Sequence, residues 1–268
     1  MPFLPLVQGS QGFGQTFATS TYGSTLTASA SANTQGTPVE LIASTTHDAH
    51  WIEVMAGNPS AAVRYAIDIL IGAATEATLI PKLTFKGRTA NDGGGRWLFP
   101  VFIPKGSRIA ASVQDSTGSS TCLVAVNLFN SGIQTTGMPM DVLQYGTITN
   151  SLGVNLDPGG TAHTDVTVEL TASTTRDHHW LVLTVANVDL TWAGALTKLI
   201  DICIGAATEQ VLVADMLVGG GGTADQQMPE QIWHMPVFVP RGSRLTVRAR
   251  CSVTTDGDRD LYVTLHGA

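Results

Sequence analysis

Two pairs of side chains in this sequence have the types and spacing of acid–base or metal chemistry. One is Asp48 and His50 in "HDAHW" (47–51); the other is Asp177 and His179 in "RDHHW" (176–180). In an extended strand, residues two apart share a face, so each Asp could orient its His or exchange a proton with it. A shared metal is the other use of such a pair. Two ligands per pair fall short of the three or four that a tight site requires, and the spacing supplies no third. The plainer reading has each Asp accept backbone N–H bonds at a turn while the His covers the edge of a tryptophan. The expectation is therefore no metal, no cofactor and no catalytic residue. The sequence contains no GxSxG, GxxxxGK[ST], HExxH or EF-hand loop. The glycine-rich stretch 219–223 lacks the lysine of a phosphate-binding loop.

Other residues carry weaker hints. Trp51 and Trp180 match in context, as do Trp97 and Trp233. Exposed, Trp97 and Trp233 could stack on a glycan; in apolar strands they serve packing instead. Asp68 and Asp201, like Arg108 and Arg244, recur in the same contexts, and each Asp is expected to pair with its Arg. Cys122, Cys203 and Cys251 are odd in number and form no CxxC, which argues against a disulfide framework or a thiolate zinc site. Cys251 alternates with polar residues in "LTVRARCSV", so it belongs to a buried strand face.

The recurring contexts are the stronger signal. "ELIASTTHDAHW" (40–51) matches "ELTASTTRDHHW" (169–180) at nine of twelve positions. "DILIGAATE" (68–76) matches "DICIGAATE" (201–209) at eight of nine, and "PVFIPKGSR" (100–108) matches "PVFVPRGSR" (236–244) at seven of nine. The blocks keep their order, with register shifts of 129, 133 and 136 residues. One module has been written twice. Each copy is long enough to bury its own core, so the reading is tandem domains and not a solenoid. The expected boundaries are an N-terminal arm 1–21, a first domain 22–131, a linker 132–144 and a second domain 145–268.

The elements that must position these residues are strands. "HWIEVMA" sets Trp51, Glu53 and Met55 against Ile52 and Val54, and "LYVTLHG" sets Leu261, Val263 and Leu265 against Tyr262, Thr264 and His266. This is the two-residue period of half-buried strands. Turn residues punctuate them, including Asn58-Pro59, "NDGGG" (91–95) and "DGD" (256–258). "IGAATE" reads as a hairpin turn whose glycine serves backbone geometry; Glu76 and Glu209 find no partner by sequence. "PVFIPKGSR" reads as an edge strand, a proline-led corner and the start of the next strand. The fold class is all-β: two tandem antiparallel β-sandwiches of jelly-roll type from an internal duplication, plus an extended N-terminal arm.

Residues 1–39 contain no Asp, Glu, Lys, Arg or His. The arm instead offers Phe3, Leu4, Leu6, Phe13 and Phe17, spaced by small and polar residues. Alone it buries too little to order itself, so either its own domain or, as the favoured reading, a neighbouring subunit is expected to hold it. Charged residues make up 13% of the chain and the net charge is −7. A mildly acidic surface does not attract nucleic acid or an anionic membrane. "MPFLPLVQGS" has no basic start and two prolines, unlike a secretory signal.

The stretches "IGAATE…LIPKL" and "FPVFIPKGSRIAASVQDS" resemble modules of virion structural proteins of tailed bacteriophages, of decoration, fibre or tail-associated type. The resemblance covers most of both copies. It implies a non-enzymatic building block, made in the host cytoplasm and carried on the virion, with other virion proteins and its own copies as partners. Duplication favours a trimer, in which three chains make a pseudo-sixfold ring. The alternative is a carbohydrate- or receptor-binding module of a fibre, with a host surface glycan as partner. A hydrolase or metal enzyme built on the Asp/His pairs is the remaining contrast.

Overall fold

The computed structural model describes residues 10–13, 23–72, 76–87, 92–130, 138–146, 148, 153–158, 165–186, 197–205, 208–219, 231–252 and 261–268. All regular elements among them are strands. The chain divides into two compact units, Met1–Gln144 and Tyr145–Gly267. In the first run β1 (Ser10–Phe13), β2 (Ser24–Thr27), β3 (Val39–Ile42), β4 (Ala49–Gly57), β5 (Arg64–Ile71), β6 (Ala77–Lys86), β7 (Gly94–Ile103), β8 (Ile109–Asp115) and β9 (Thr121–Phe129). After β10 (Leu143–Tyr145), the second holds β11 (Val154–Leu156), β12 (Val166–Thr171), β13 (Leu181–Ala186), β14 (Thr197–Ile204), β15 (Gln210–Gly219), β16 (Gln231–Met235), β17 (Leu245–Cys251) and β18 (Leu261–Gly267).

The first unit has one sheet in the order β1-β9-β4-β7, with β2 also on β9, and another in the order β3-β8-β5-β6. The strand pairs of this unit are antiparallel. Numbering from β2, the two sheets take strands 1-8-3-6 and 2-7-4-5 of an eight-strand series. This is the jelly roll, in which consecutive strands alternate between two facing sheets except for the β5–β6 hairpin at the middle of the series. The second unit repeats it: β10-β18-β13-β16 with β11 on β18, and β12-β17-β14-β15.

Alternation sends one side of each strand into the sandwich. Ile52 and Val54 are buried from β4, Trp97, Phe99 and Val101 from β7, and Val124 and Val126 from β9. The second core repeats the pattern with Leu181, Leu183 and Val185 against Leu261, Val263 and Leu265. Each such side chain contributes about 1.5–3 kcal/mol by leaving water. All three cysteines are free and buried. Burial, with Asp115 nearby, pushes the Cys122 thiol up to about 12, so it is a packing residue and not a nucleophile.

The arm and the linker each contain a described strand. Residues 10–13 pair in register with Phe129–Val126 of their own chain, so no neighbouring subunit is needed to hold this part of the arm. Phe3, Leu4, Leu6 and Phe17 lie outside the described residues, and no side-chain placement is described for Phe13. The proposed linker is also structured where it is described: Leu143–Tyr145 form β10 on β18, the place β1 takes on β9. The arm strand thus has a counterpart in the second copy, which the sequence alone hides because "SQGF" and "LQY" share little.

Trp97 is fully buried and has no face to offer a sugar, which removes it as a glycan-stacking residue. Trp97→Ala is expected to destabilise the first unit by about 3–5 kcal/mol, read from the denaturant midpoint. Loss below 1 kcal/mol would contradict its core position.

Candidate functional site

The three repeated blocks converge in space. They supply the β3–β4, β5–β6 and β7–β8 connections of the first unit and the equivalent β12–β13, β14–β15 and β16–β17 connections of the second. In an alternating jelly roll these three connections share one end. At its centre is one arginine per copy. Arg108 donates from Nε to Glu40 (2.8 Å) and from a terminal nitrogen to Glu76. Arg244 repeats this with Glu169 (2.6 Å) and Glu209 (2.8 Å). Its fork spans carboxylates from two different strands or turns, a geometry lysine lacks. The paired glutamates raise both guanidinium pKa values further above their ordinary range.

The glycine of "IGAATE" completes this corner. Gly72 and Gly205 sit at φ +114° and +111°, a region that other residues rarely adopt. Their N–H groups donate to the Arg108 and Arg244 carbonyls, at 3.1 and 3.2 Å. The hexapeptide is therefore half of an arginine seat: its glycine meets the backbone and its glutamate the side chain.

The expected Asp–Arg pairs do not form in either copy. Asp68 accepts from the Lys82 backbone N–H (2.7 Å) and side chain (3.2 Å), while Asp201 accepts from the Asp215 N–H (2.7 Å) and from Arg248 (2.5 Å). Lys82 and Asp215 are non-glycine residues at φ +47° and +51°, beside irregular pairing in β6 and β15. Each Asp thus stabilises a strained backbone position, with a cation recruited locally. Burial alone would raise the Asp201 carboxyl, but the Asp215 N–H and Arg248 outweigh it and lower its pKa.

The Asp/His pairs also come apart. Asp48 precedes β4 and accepts from the Lys105 N–H (2.7 Å); Asp177 accepts from the Arg241 N–H (2.6 Å). His50 is buried, with Nδ1 unbonded, and its ring lies 5.7 Å from Phe102, not against a tryptophan. His179 is exposed and lies 5.0 Å from Phe238. No group of three or more potential ligands among His, Cys, Asp and Glu gathers among the described residues.

Threonines do more at this end than their type announces. Thr45 donates its hydroxyl to the Pro104 carbonyl (2.8 Å) and accepts from the Ser107 N–H (3.0 Å). Thr174 does the same with Pro240 (2.8 Å) and Ser243 (3.1 Å). Backbone bonds between the same loops, Thr45 to Ser107 and Gly106 to Thr45, close the pair, and Thr174 repeats both. Their presence in both "STT" blocks was the available signal. His178 has none, because Ala49 stands in its place in the first copy. It is fully buried, and its Nε2 lies 2.5 Å from the Tyr145 hydroxyl. Burial pushes Tyr145 up to about 12, keeping it a neutral hydrogen-bonding partner.

Length differences between the copies avoid this end. The register shift rises from 129 to 133 between the first and second blocks, and from 133 to 136 between the second and third. Those intervals contain the β4–β5 and β6–β7 connections, both at the opposite end. Of the other repeated tryptophans, Trp51, Trp180 and Trp233 are partly exposed, and Trp180 lies 6.3 Å from the His234 ring.

No protein-family model matches the chain, and no curated protein does. Among solved structures it is similar to the STIV MCP, with 9% identity and TM-score 0.40 over 91% of this chain and 96% of that one. It is also similar to PNGase F, a glycosylasparaginase from Flavobacterium meningosepticum (12%, 0.35, 97% and 96%). A third is the CBM22-1-CBM22-2 tandem domain of Paenibacillus barcinonensis Xyn10C (9%, 0.28, 97% and 92%). At these scores the likeness assigns no residue and no activity.

Removing the buried hydroxyl tests the loop closure. Thr45→Val and Thr174→Val are each expected to cost about 1–3 kcal/mol, because two hydrogen bonds of the buried hydroxyl, to a carbonyl and from an N–H, are lost; unchanged denaturant midpoints would contradict the closure. Asp201 carries a pH signature. Its native pKa is lowered, so its contribution is complete above the unfolded value near 3.8 and disappears as pH falls through the native value. In melts between pH 6 and pH 2, Asp201→Asn should lose less stability on acidification than the parent protein. Equal slopes would show that the carboxylate is not preferentially stabilised.

Proposed function

We propose that this chain is a non-enzymatic structural protein of a tailed-bacteriophage virion, assembled on the capsid or at the head–tail region through its jelly-roll surfaces. One observation carries the reading: Glu40, Asp48, Asp68, Glu76 and Arg108, acidic and basic residues of the blocks common to both copies, hold loops and bulges. Chemistry preserved between the copies is thus the chemistry of a rigid frame. Two frames per chain double the contact surface, and three chains can close a ring of six jelly rolls. Phe238, Leu217 and Met140 are large apolar side chains left exposed, the kind of surface that assembly covers.

The test is quantitative mass spectrometry of purified particles whose genome encodes the chain. Many copies per particle, retained through density-gradient purification, are expected. A chain left wholly in the soluble lysate would overturn the reading.

A further inference from the structure

In the first unit, residues 138–142 run along the side of the sandwich between the free edges of β6 and β7. The Phe102 N–H donates to the Pro139 carbonyl (3.0 Å), and the Val142 N–H donates to the Leu79 carbonyl (2.8 Å). Val142 is buried by this docking, and Leu79 and Val101 beneath are fully buried. Leu79 is available because the β5–β6 ladder steps over it: Ile69 pairs with Ile80 and Leu70 with Thr78. The strip therefore joins two strand edges that the sandwich itself leaves open.

The second unit repeats the groove without a strip among its described residues. Leu212, the counterpart of Leu79, is likewise stepped over, since Ile202 pairs with Val213 and Cys203 with Val211. Here the apolar positions are open. Leu212 and Val237 are half-buried where Leu79 and Val101 are fully buried, and Phe238, the counterpart of Phe102, is 52% exposed. Val211 and Leu217 on the same β15 strand are exposed as well.

Connectivity identifies the occupant. The strip 138–142 leads directly into β10, the edge strand beside β18, and it covers the jelly roll that comes before. The strand that holds β10's place in the first unit is β1, and the chain leading into β1 is residues 1–9, "MPFLPLVQG". The two lead-ins share the order Met-Pro-apolar, "MPF" and "MPM", and residues 1–9 carry no charged side chain. The groove that matches the one under 138–142, with its apolar positions open, is that of the second unit, and another copy can present it to residues 1–9. We infer that residues 1–9 of one copy dock along β15 and residues 236–239 of the next, covering Phe238 and Leu212 as 138–142 covers Phe102 and Leu79. The mode is edge pairing by main-chain hydrogen bonds, with apolar side chains filling the groove. Repeated head to tail, the contact closes into a ring or extends as a filament according to its rotation.

This inference rests on the assembly reading, and its test separates the two. Full-length chain, a variant lacking residues 2–9 and Phe238→Asp are compared by light scattering at micromolar concentration. The full chain is expected at a multiple of 28.1 kDa and both variants at the single-chain mass. Phe238 is exposed, so an unchanged melting temperature in Phe238→Asp confirms that the fold survives. A synthetic peptide of residues 1–9 should bind the truncated chain and lose about tenfold or more in affinity when Phe238→Asp is added. Assembly by either variant at the parental mass would overturn the arm–groove contact, as would equal peptide binding with and without Phe238. A single-chain mass for the full-length protein would overturn it too. The assembly reading fails separately, when the chain is absent from purified particles.

Discussion

A single guanidinium in each jelly roll holds two carboxylates that arrive from different parts of the chain. Arg108 brings the start of β8 against Glu40 of β3 and Glu76 of the β5–β6 turn, and Arg244 does so with Glu169 and Glu209. A jelly roll is built from long-range antiparallel pairings, and its loops have little core of their own. Fixing three connections to one another therefore sets how β3, β5 and β8 enter their sheet. The threonine closures extend the same constraint to β4 and β7, which belong to the other sheet. One end of the sandwich thereby ties its two layers together with polar groups, while the interior does so with apolar ones.

Much of the fold was legible because its signals are local. Period-two alternation located β4 and β18, and the duplication fixed the unit of folding; in "PVFIPKGSR" the second proline marks the corner after β7, while the first, Pro100, lies inside that strand and does not start it. What was missed is non-local. Glu76 could not be matched to Arg108 from sequence because thirty-two residues and two strands separate them. Asp68 was assigned the wrong cation because Lys82 occupies a left-handed position that no propensity announces. Asp48 and His50 looked like a pair only under the assumption that both lie on the strand, whereas β4 begins at Ala49. Trp97 and Trp233 are equivalent in sequence yet differ in burial, since the strand around Trp233 is shorter than its counterpart.

The hidden equivalence of β1 and β10 has a similar cause. Edge strands of three or four residues make few side-chain contacts, so their main-chain bonds persist while the sequence drifts. "SQGF" and "LQY" keep a place in the ladder without keeping letters. The arm and the linker are thus one recurring part of the module, set in front of each jelly roll.

The even spacing of the clamped loops, against the growing register shift elsewhere, carries a consequence for how such a molecule changes. Duplication gave the chain two frames, and the copies differ in length where the β4–β5, β6–β7 and β8–β9 connections turn back. Insertion there leaves the arginine seat and the threonine closures untouched. One pole of each domain is a fixed chassis and the other a region open to rewriting, where a lineage can alter what it shows to its surroundings while continuing to fold.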